Sequence, residues 1–150
     1  MNESLGKIMG EIFDDLTKIA SKTFDNIFNF FKSVSKEQYD AINQYGGFGK
    51  VLQDAWNIEN QCKGELTLKD VITWLKGHLP KDMRYRGCMI VLDKTLVTPA
   101  ETSFPHHYYV CFLDANNEIL HEKPQVFFHC NVIDAELQQS FAGKEMIIFG

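Results

Sequence analysis

The spacing of apolar residues changes near Pro80, and this change limits the folds open to the chain more than any other feature. Before Pro80, apolar residues recur every three or four positions, which is the spacing of one face of a helix. After Pro80 they recur at every second position or in short continuous runs, as in strands. Segregated helices and strands of this kind predict an α+β fold with an antiparallel sheet.

The first 34 residues carry a long apolar stripe at helical spacing. The pattern predicts one long amphipathic helix, or two helices with a break near residues 21–25. The stripe has two interpretations: it packs against the rest of the domain, or it binds a second copy or a partner helix. Membrane-surface binding is disfavoured because lysines do not dominate the polar face.

Two or three shorter helices follow. Ser35 is placed to cap a helix with Gln38 at the third position, and Gly46 and Gly47 end it. A helix predicted over 51–58 is expected to extend to Gly64. Thr67 is expected to cap another helix, with Asp70 at the third position, and Gly77 and Pro80 stop it.

Four to five strands are predicted in the second half, with one short helix inserted before the last. A hairpin turn is expected at 115–118, because asparagine tolerates the left-handed backbone that tight turns require. The predicted elements are strands over 84–93, 107–114, 118–122 and 125–132, a helix over 134–143 capped by Asp134, and a strand over 144–150.

Length and composition indicate a single α+β domain over residues 1–150, with its helical part at about 1–80 and its sheet at about 81–150. An independent N-terminal hairpin over residues 1–45 is the alternative. The net charge of −5 argues against a nucleic-acid binder and is compatible with a basic protein partner, or with no partner. The N-terminus lacks the apolar stretch of a signal peptide, no window is long enough to span a membrane, and the four cysteines are expected to be reduced. We therefore expect a cytoplasmic protein without a cofactor.

Residues 106–122 hold the strongest candidates for chemistry. His107 and His121 lie seven positions either side of Asp114, so a hairpin there would make them cross-strand neighbours and a general acid/base pair for a small hydrolase or nuclease. His129 is the third candidate for a metal site with these two histidines. Cys111 is a candidate nucleophile, with His121 or His129 as its base.

No catalytic motif supports these candidates, so the sequence favours a protein-binding module such as an inhibitor, an immunity-type protein or an adaptor. Two surfaces are expected to bind the partner: the apolar face of the N-terminal helix, which would also support a homo-oligomer, and an exposed aromatic and basic face of the sheet. The candidate binding residues are Phe24, Ile27, Phe28, Phe31, Arg84, Arg86, Tyr108 and Tyr109.

Overall fold

A computed structural model describes residues 3–18, 24–79, 85–92, 96–97, 101 and 103–149. These residues form six helices and five strands, an α+β fold as predicted. The helices are α1 (Glu3–Thr17), α2 (Phe24–Ser33), α3 (Lys36–Tyr45), α4 (Phe48–Trp56), α5 (Leu68–His78) and α6 (Ala135–Phe141). The strands are β1 (Glu59–Leu66), β2 (Arg86–Val91), β3 (His106–Leu113), β4 (Val126–Ile133) and β5 (Met146–Phe149).

The five strands form one sheet in the order β1-β4-β3-β2-β5. The pairs β4–β3, β3–β2 and β2–β5 are antiparallel, but β1 runs parallel to β4. The sheet is therefore mixed, and the prediction of a purely antiparallel sheet was wrong. The predicted division near residue 80 was also wrong, because a strand lies inside the helical half.

The sequence does not reveal β1 because this strand is polar. Along "ENQCKGEL" only the final Leu66 is buried, so the strand has no apolar alternation to detect. The predicted extension of the preceding helix to Gly64 fails at Asn57, whose left-handed backbone (φ 54°) ends α4. Pairing with the buried strand β4 makes this segment a strand, and that pairing is a tertiary contact.

Helices cover both faces of the sheet. On one face, α1 to α4 share a core with Cys88, Tyr109 and Phe127. On the other face, α5 and α6 pack against Val110 and Phe112. The N-terminal helices thus share a core with the sheet. The organisation of residues 1–150 as a single domain stays a prediction.

The stripe at the N-terminus is divided between two helices, α1 and α2, and residues 19–23 between them lie outside the described residues. The buried positions include Ile12 and Leu16 on α1 and Ile27 and Phe31 on α2. The interpretation in which this face packs on the domain's own core agrees with that burial. Among the described residues, no helix is long and apolar enough to cross a membrane; the cytoplasmic location is still a prediction.

The predicted capping residues form the predicted hydrogen bonds. The Ser35 hydroxyl accepts a bond from the Gln38 amide, and Thr67 accepts one from Asp70 in the same reciprocal arrangement. Asp134 caps α6 without the reciprocal bond: its carboxylate accepts a hydrogen bond from the Leu137 amide. Local sequence therefore determines where these helices begin.

The predicted hairpin after β3 closes only in part. Asp114 and Glu118 are joined by a backbone hydrogen bond, and Asn117 has the expected left-handed backbone (φ 62°). A single bridge between Leu113 and Ile119 follows, with one hydrogen bond from the Leu120 amide to the Phe112 carbonyl, and residues 118–122 do not form a strand. The neighbour of β3 is instead β4, whose residues 126–130 are buried on both faces of the sheet.

Candidate functional site

Two histidines meet across β3 and β4 on the sheet face that α1 to α4 cover. His107 and His129 are direct cross-strand partners, and their Nδ1 atoms lie 2.7 Å apart. Their side chains are almost fully buried, with 5% of His107 and 0% of His129 exposed. The sequence predicted His107 in a histidine pair but placed it with the wrong partner.

Three polar side chains complete a network around His129. Its Nε2 atom lies 2.8 Å from Asn60 Oδ1 and 3.5 Å from Glu101 Oε1. Asn60 donates to Gln53 Oε1 over 2.7 Å, and Gln53 in turn donates to Glu101 over 3.5 Å. Helix α4, strand β1 and the segment before β3 each supply one of these groups, so the network joins elements that are distant in sequence.

The direction of these hydrogen bonds assigns the protons. The Asn60 and Glu101 oxygens that face His129 Nε2 are acceptors, so Nε2 carries a hydrogen. Neutral His129 then has its lone pair on Nδ1, and it accepts a hydrogen bond from the Nδ1–H of His107. This assignment follows from the network, and it gives the contacts of His129 with His107, Asn60 and Glu101 one donor and one acceptor each.

Burial disfavours a charge inside this network. Desolvation, followed by repulsion from His107, lowers the pKa of His129 from 6.5 to about 4. Desolvation also raises the pKa of Glu101. Both shifts favour neutral side chains, as expected for a buried polar network with a structural role.

His121, the predicted partner of His107, does not pair with it across the sheet. The His121 carbonyl accepts a hydrogen bond from Gln125, whose neighbour Val126 pairs with Val110, three residues along β3 from His107. The His121 ring packs on Trp56 with centroids 5.3 Å apart, and its Nδ1 lies 3.3 Å from Glu122. The structure therefore does not bring His107 and His121 together as an acid/base pair.

A cavity of about 680 Å³ lies beside His121, with walls that include Trp56, Glu59 and Glu122. Among its described lining residues there is no second histidine and no cysteine. His107 and His129 line neither this cavity nor the two cavities beside β5. The geometry of the described residues thus gives no support to shared histidine catalysis.

The surroundings of Cys111 and of the candidate metal ligands do not favour the predicted chemistry. Cys111 is fully buried in mid-strand, and desolvation raises its thiol pKa well above the usual value, which opposes formation of the thiolate nucleophile. Its side chain neighbours those of Cys88 and Tyr109. Within the described ranges, no group of three or more His, Cys, Asp or Glu side chains is arranged to hold a metal ion.

Most of the predicted binding residues that the structure describes are buried. Ile27 and Phe31 lie in the core, and Tyr108 and Tyr109 lie beneath helices on opposite faces of the sheet. The prediction of an exposed aromatic sheet face was wrong, because both faces are covered. Arg86 is half-buried at the start of β2. Arg84 and the side chains of Phe24 and Phe28 lie outside the described residues.

The two edges of the sheet differ in character. The β1 edge is polar and carries Glu59, Lys63 and Glu65, which discourage pairing with another strand. The β5 edge reads "MIIF" and carries no charge. Among the described residues, no strand pairs with the outer side of β5.

The hydrogen-bond pattern shows which β5 groups face outward. Val91 donates to the Glu145 carbonyl, so Glu145, Ile147 and Phe149 direct their backbone groups toward β2. By the alternation of an antiparallel pair, the N–H and C=O groups of Met146 and Ile148 point away from the sheet. Their side chains are 47% and 41% exposed.

An apolar groove lies beside β5 on each face of the sheet. The first, here called the α2 groove, has a volume of about 490 Å³ and includes Cys88, Ile90 and Ile148 in its lining. The second, here called the α5 groove, has a volume of about 560 Å³ and lies between Leu75 of α5 and Phe149 of β5. The sequence predicted the final strand but did not reveal this edge; the only signal was the absence of charge in "MIIF".

Comparison of the chain with protein-family models, with curated proteins and with solved structures gives no match. A functional proposal therefore depends on the geometry of the chain itself.

Proposed function

We propose that this protein binds another protein by strand addition at β5. In this mode an extended segment of the partner pairs with the outward N–H and C=O groups of Met146 and Ile148. The observation that carries the proposal is the uncharged β5 edge with an apolar groove on each face. The function remains the one that the sequence favours, but the proposed surface is different.

The two grooves fit the alternation of an added strand. Successive side chains of a strand point to opposite faces of a sheet. A partner strand beside β5 would therefore place its side chains alternately toward the α2 groove and the α5 groove. Main-chain hydrogen bonds would supply affinity, and the fit of alternate apolar side chains in the grooves would supply specificity.

Charge favours a basic partner segment. Asp25 and Glu145 line the α2 groove, and the whole chain has a net charge of −5. A lysine or arginine flanking the partner's apolar residues would lie near these carboxylates, and opposite charge would also speed encounter. An inhibitor, an immunity-type protein and an adaptor all fit this description and differ in what the bound partner does.

The experiment begins with a library of random peptides displayed on phage, selected on the purified protein. The tightest binder is synthesised and titrated into isotope-labelled protein, and binding is followed by amide chemical shifts. We expect the selected peptides to alternate apolar residues and to carry a basic residue. We expect the largest shift changes at Met146 and Ile148 and at the residues lining both grooves.

Ile148→Pro is the decisive variant. Proline removes the outward N–H of residue 148 and leaves intact the hydrogen bonds between β5 and β2, because that N–H does not pair with β2. We expect peptide affinity to fall by about tenfold, because the complex loses one main-chain hydrogen bond and the packing around it.

Val132→Lys is the matched control, because Val132 is 46% exposed, like Met146, but lies on β4 away from β5. It should leave peptide affinity unchanged. Peptides that bind with equal affinity to the wild type and to a folded Ile148→Pro variant would overturn the proposal. So would a library that yields no binder at β5.

A further inference from the structure

Cys88 and Cys111 face each other directly across β2 and β3. Both side chains lie on the sheet face that α1 to α4 cover, both are fully buried, and both are free thiols. The Cys88 thiol also contributes to the raised pKa of the Cys111 thiol, an effect that requires the two groups to be close neighbours. The structure thus presents two thiols at one position of the ladder.

The ladder defines the separation of their backbones. Leu92 donates to the His107 carbonyl, so by alternation Cys88 and Cys111 form a hydrogen-bonded pair. Such pairs have Cα atoms about 5.5 Å apart, within the range of about 4.4–6.8 Å that disulfides span. Register therefore places the two cysteines at bridging distance without rearrangement of the sheet.

We propose that Cys88 and Cys111 form a reversible cross-strand disulfide when the folded protein meets a low-molecular-weight disulfide such as oxidised glutathione. This modification site goes beyond the proposed binding function and does not depend on it.

The exchange proceeds in two steps that balance. The Cys88 thiolate attacks one sulfur of the small disulfide, forms a mixed disulfide and expels one small thiolate. While β5 is open and water reaches the pair, Cys111 loses its proton to water, and its thiolate attacks the Cys88 sulfur and expels the second small thiolate. The two cysteines lose two electrons and two protons in total, and the reagent gains both as two small thiols.

The α2 groove provides the route to the pair, since Cys88 contributes to its lining. Ile148 of β5 is the neighbour of Cys88 on the other side. Because β5 has four residues and lies at the sheet edge, we expect it to open locally more readily than the central strands. Brief opening of β5 would expose Cys88 while the rest of the core stays folded.

The bridge would be easily reduced. Cβ atoms of cross-strand pairs lie about 4.5–5.5 Å apart, with hydrogen-bonded pairs at the wide end, whereas disulfides need about 3.5–4.5 Å. Closing the bond draws the strands together by roughly 1 Å and strains it. Strained disulfides have higher reduction potentials and are the labile ones.

The test uses Cys62→Ser protein, because Cys62 is exposed and would otherwise react first. The native variant is incubated with oxidised glutathione, denatured, alkylated and digested without reduction. We expect the alkylatable cysteines to fall from three to one, with a peptide that links residues 88 and 111. Reduced glutathione in excess should restore all three.

Cys62→Ser/Cys111→Ser protein is the matched control. Without the second thiol, we expect glutathione to remain on Cys88 as a mixed disulfide. The peptide map of the Cys62→Ser protein decides the matter even if this control does not fold. The proposal is overturned if the native protein keeps all three thiols, if only mixed disulfides accumulate, if Cys130 is in the bridge, or if the bridge forms only in denaturant.

Discussion

The buried imidazole of His129 makes the stability of this protein depend on pH. Its pKa is about 4 in the fold, compared with 6.5 in an unfolded chain. Below pH 6.5 the unfolded state therefore binds a proton that the folded state does not. Stability falls as pH drops through this window, and His129 contributes no further loss below about pH 4.

The magnitude follows from the size of the shift. A displacement from 6.5 to about 4, at 1.36 kcal/mol for each pH unit, corresponds to a loss of about 3 kcal/mol. This is a large fraction of the 5–15 kcal/mol that is typical of a folded domain. Glu101 acts in the opposite direction, because a raised carboxyl pKa stabilises the folded state as pH falls.

Substitution isolates the contribution of His129. Urea unfolding of the wild type and of His129→Gln, followed by tryptophan fluorescence between pH 6.5 and 4, gives the difference in unfolding free energy at each pH. We expect His129→Gln to be less stable at pH 6.5, because its amide cannot reproduce both imidazole hydrogen bonds, and to lose about 3 kcal/mol less than the wild type on acidification. Glu101 is present in both proteins, so its effect on the pH dependence of the unfolding free energy largely cancels when the two curves are subtracted.

His106→Gln is the matched control, because His106 precedes His107 on β3 but is exposed on the sheet surface. It should follow the wild-type curve. If His129→Gln and the wild type lose equal stability between pH 6.5 and 4, or if the His129 resonances titrate near pH 6.5, the assignment of a buried neutral imidazole is refuted.

Three further substitutions test the packing of the fold. Gly49→Ala would place a Cβ atom 2.2 Å from the Leu96 carbonyl oxygen, and it should lower the unfolding free energy measured with urea by about 1–3 kcal/mol. Gly64→Ala is the control: no heavy atom lies within 4 Å of its added Cβ atom, so this steric loss should not occur. Thr67→Ala removes the N-cap of α5 and should lower stability by about 1 kcal/mol; equal urea midpoints for variant and wild type would contradict this role. Phe127→Ala empties a fully buried site in the larger core and should cost about 3–5 kcal/mol, which thermal unfolding would reveal as a large fall in Tm.

The sequence predicted well those features that depend on neighbouring residues. Ser35, Thr67 and Asp134 cap helices as predicted, because capping joins a side chain to a backbone amide three positions away. Asn117 takes the left-handed backbone for a similar local reason. Four of the strands, β2, β3, β4 and β5, lie where apolar runs predicted them.

The sequence failed where a distant segment decides the structure. β1 has no apolar pattern and is a strand because β4 pairs with it in parallel. His107 was assigned to His121 on the assumption that residues 118–122 return beside β3, but β4 occupies that place and supplies His129. Sequence spacing defines which histidines share a face of a strand, but it does not define which strand lies next to it.

What the sequence determined by itself is therefore the fold class, the helix caps, the main apolar strands and the presence of a final strand. Tertiary structure decided the strand order, and with it the buried pair of His107 and His129 and the facing thiols of Cys88 and Cys111. It also decided that β5 lies at an open edge among the described residues. The physical reason is that hydrogen bonds between strands join backbone groups, which every residue type carries, so these bonds do not select one strand as the neighbour of another. The choice of neighbouring strand depends instead on which arrangement buries the apolar side chains of the whole sheet beneath its helices.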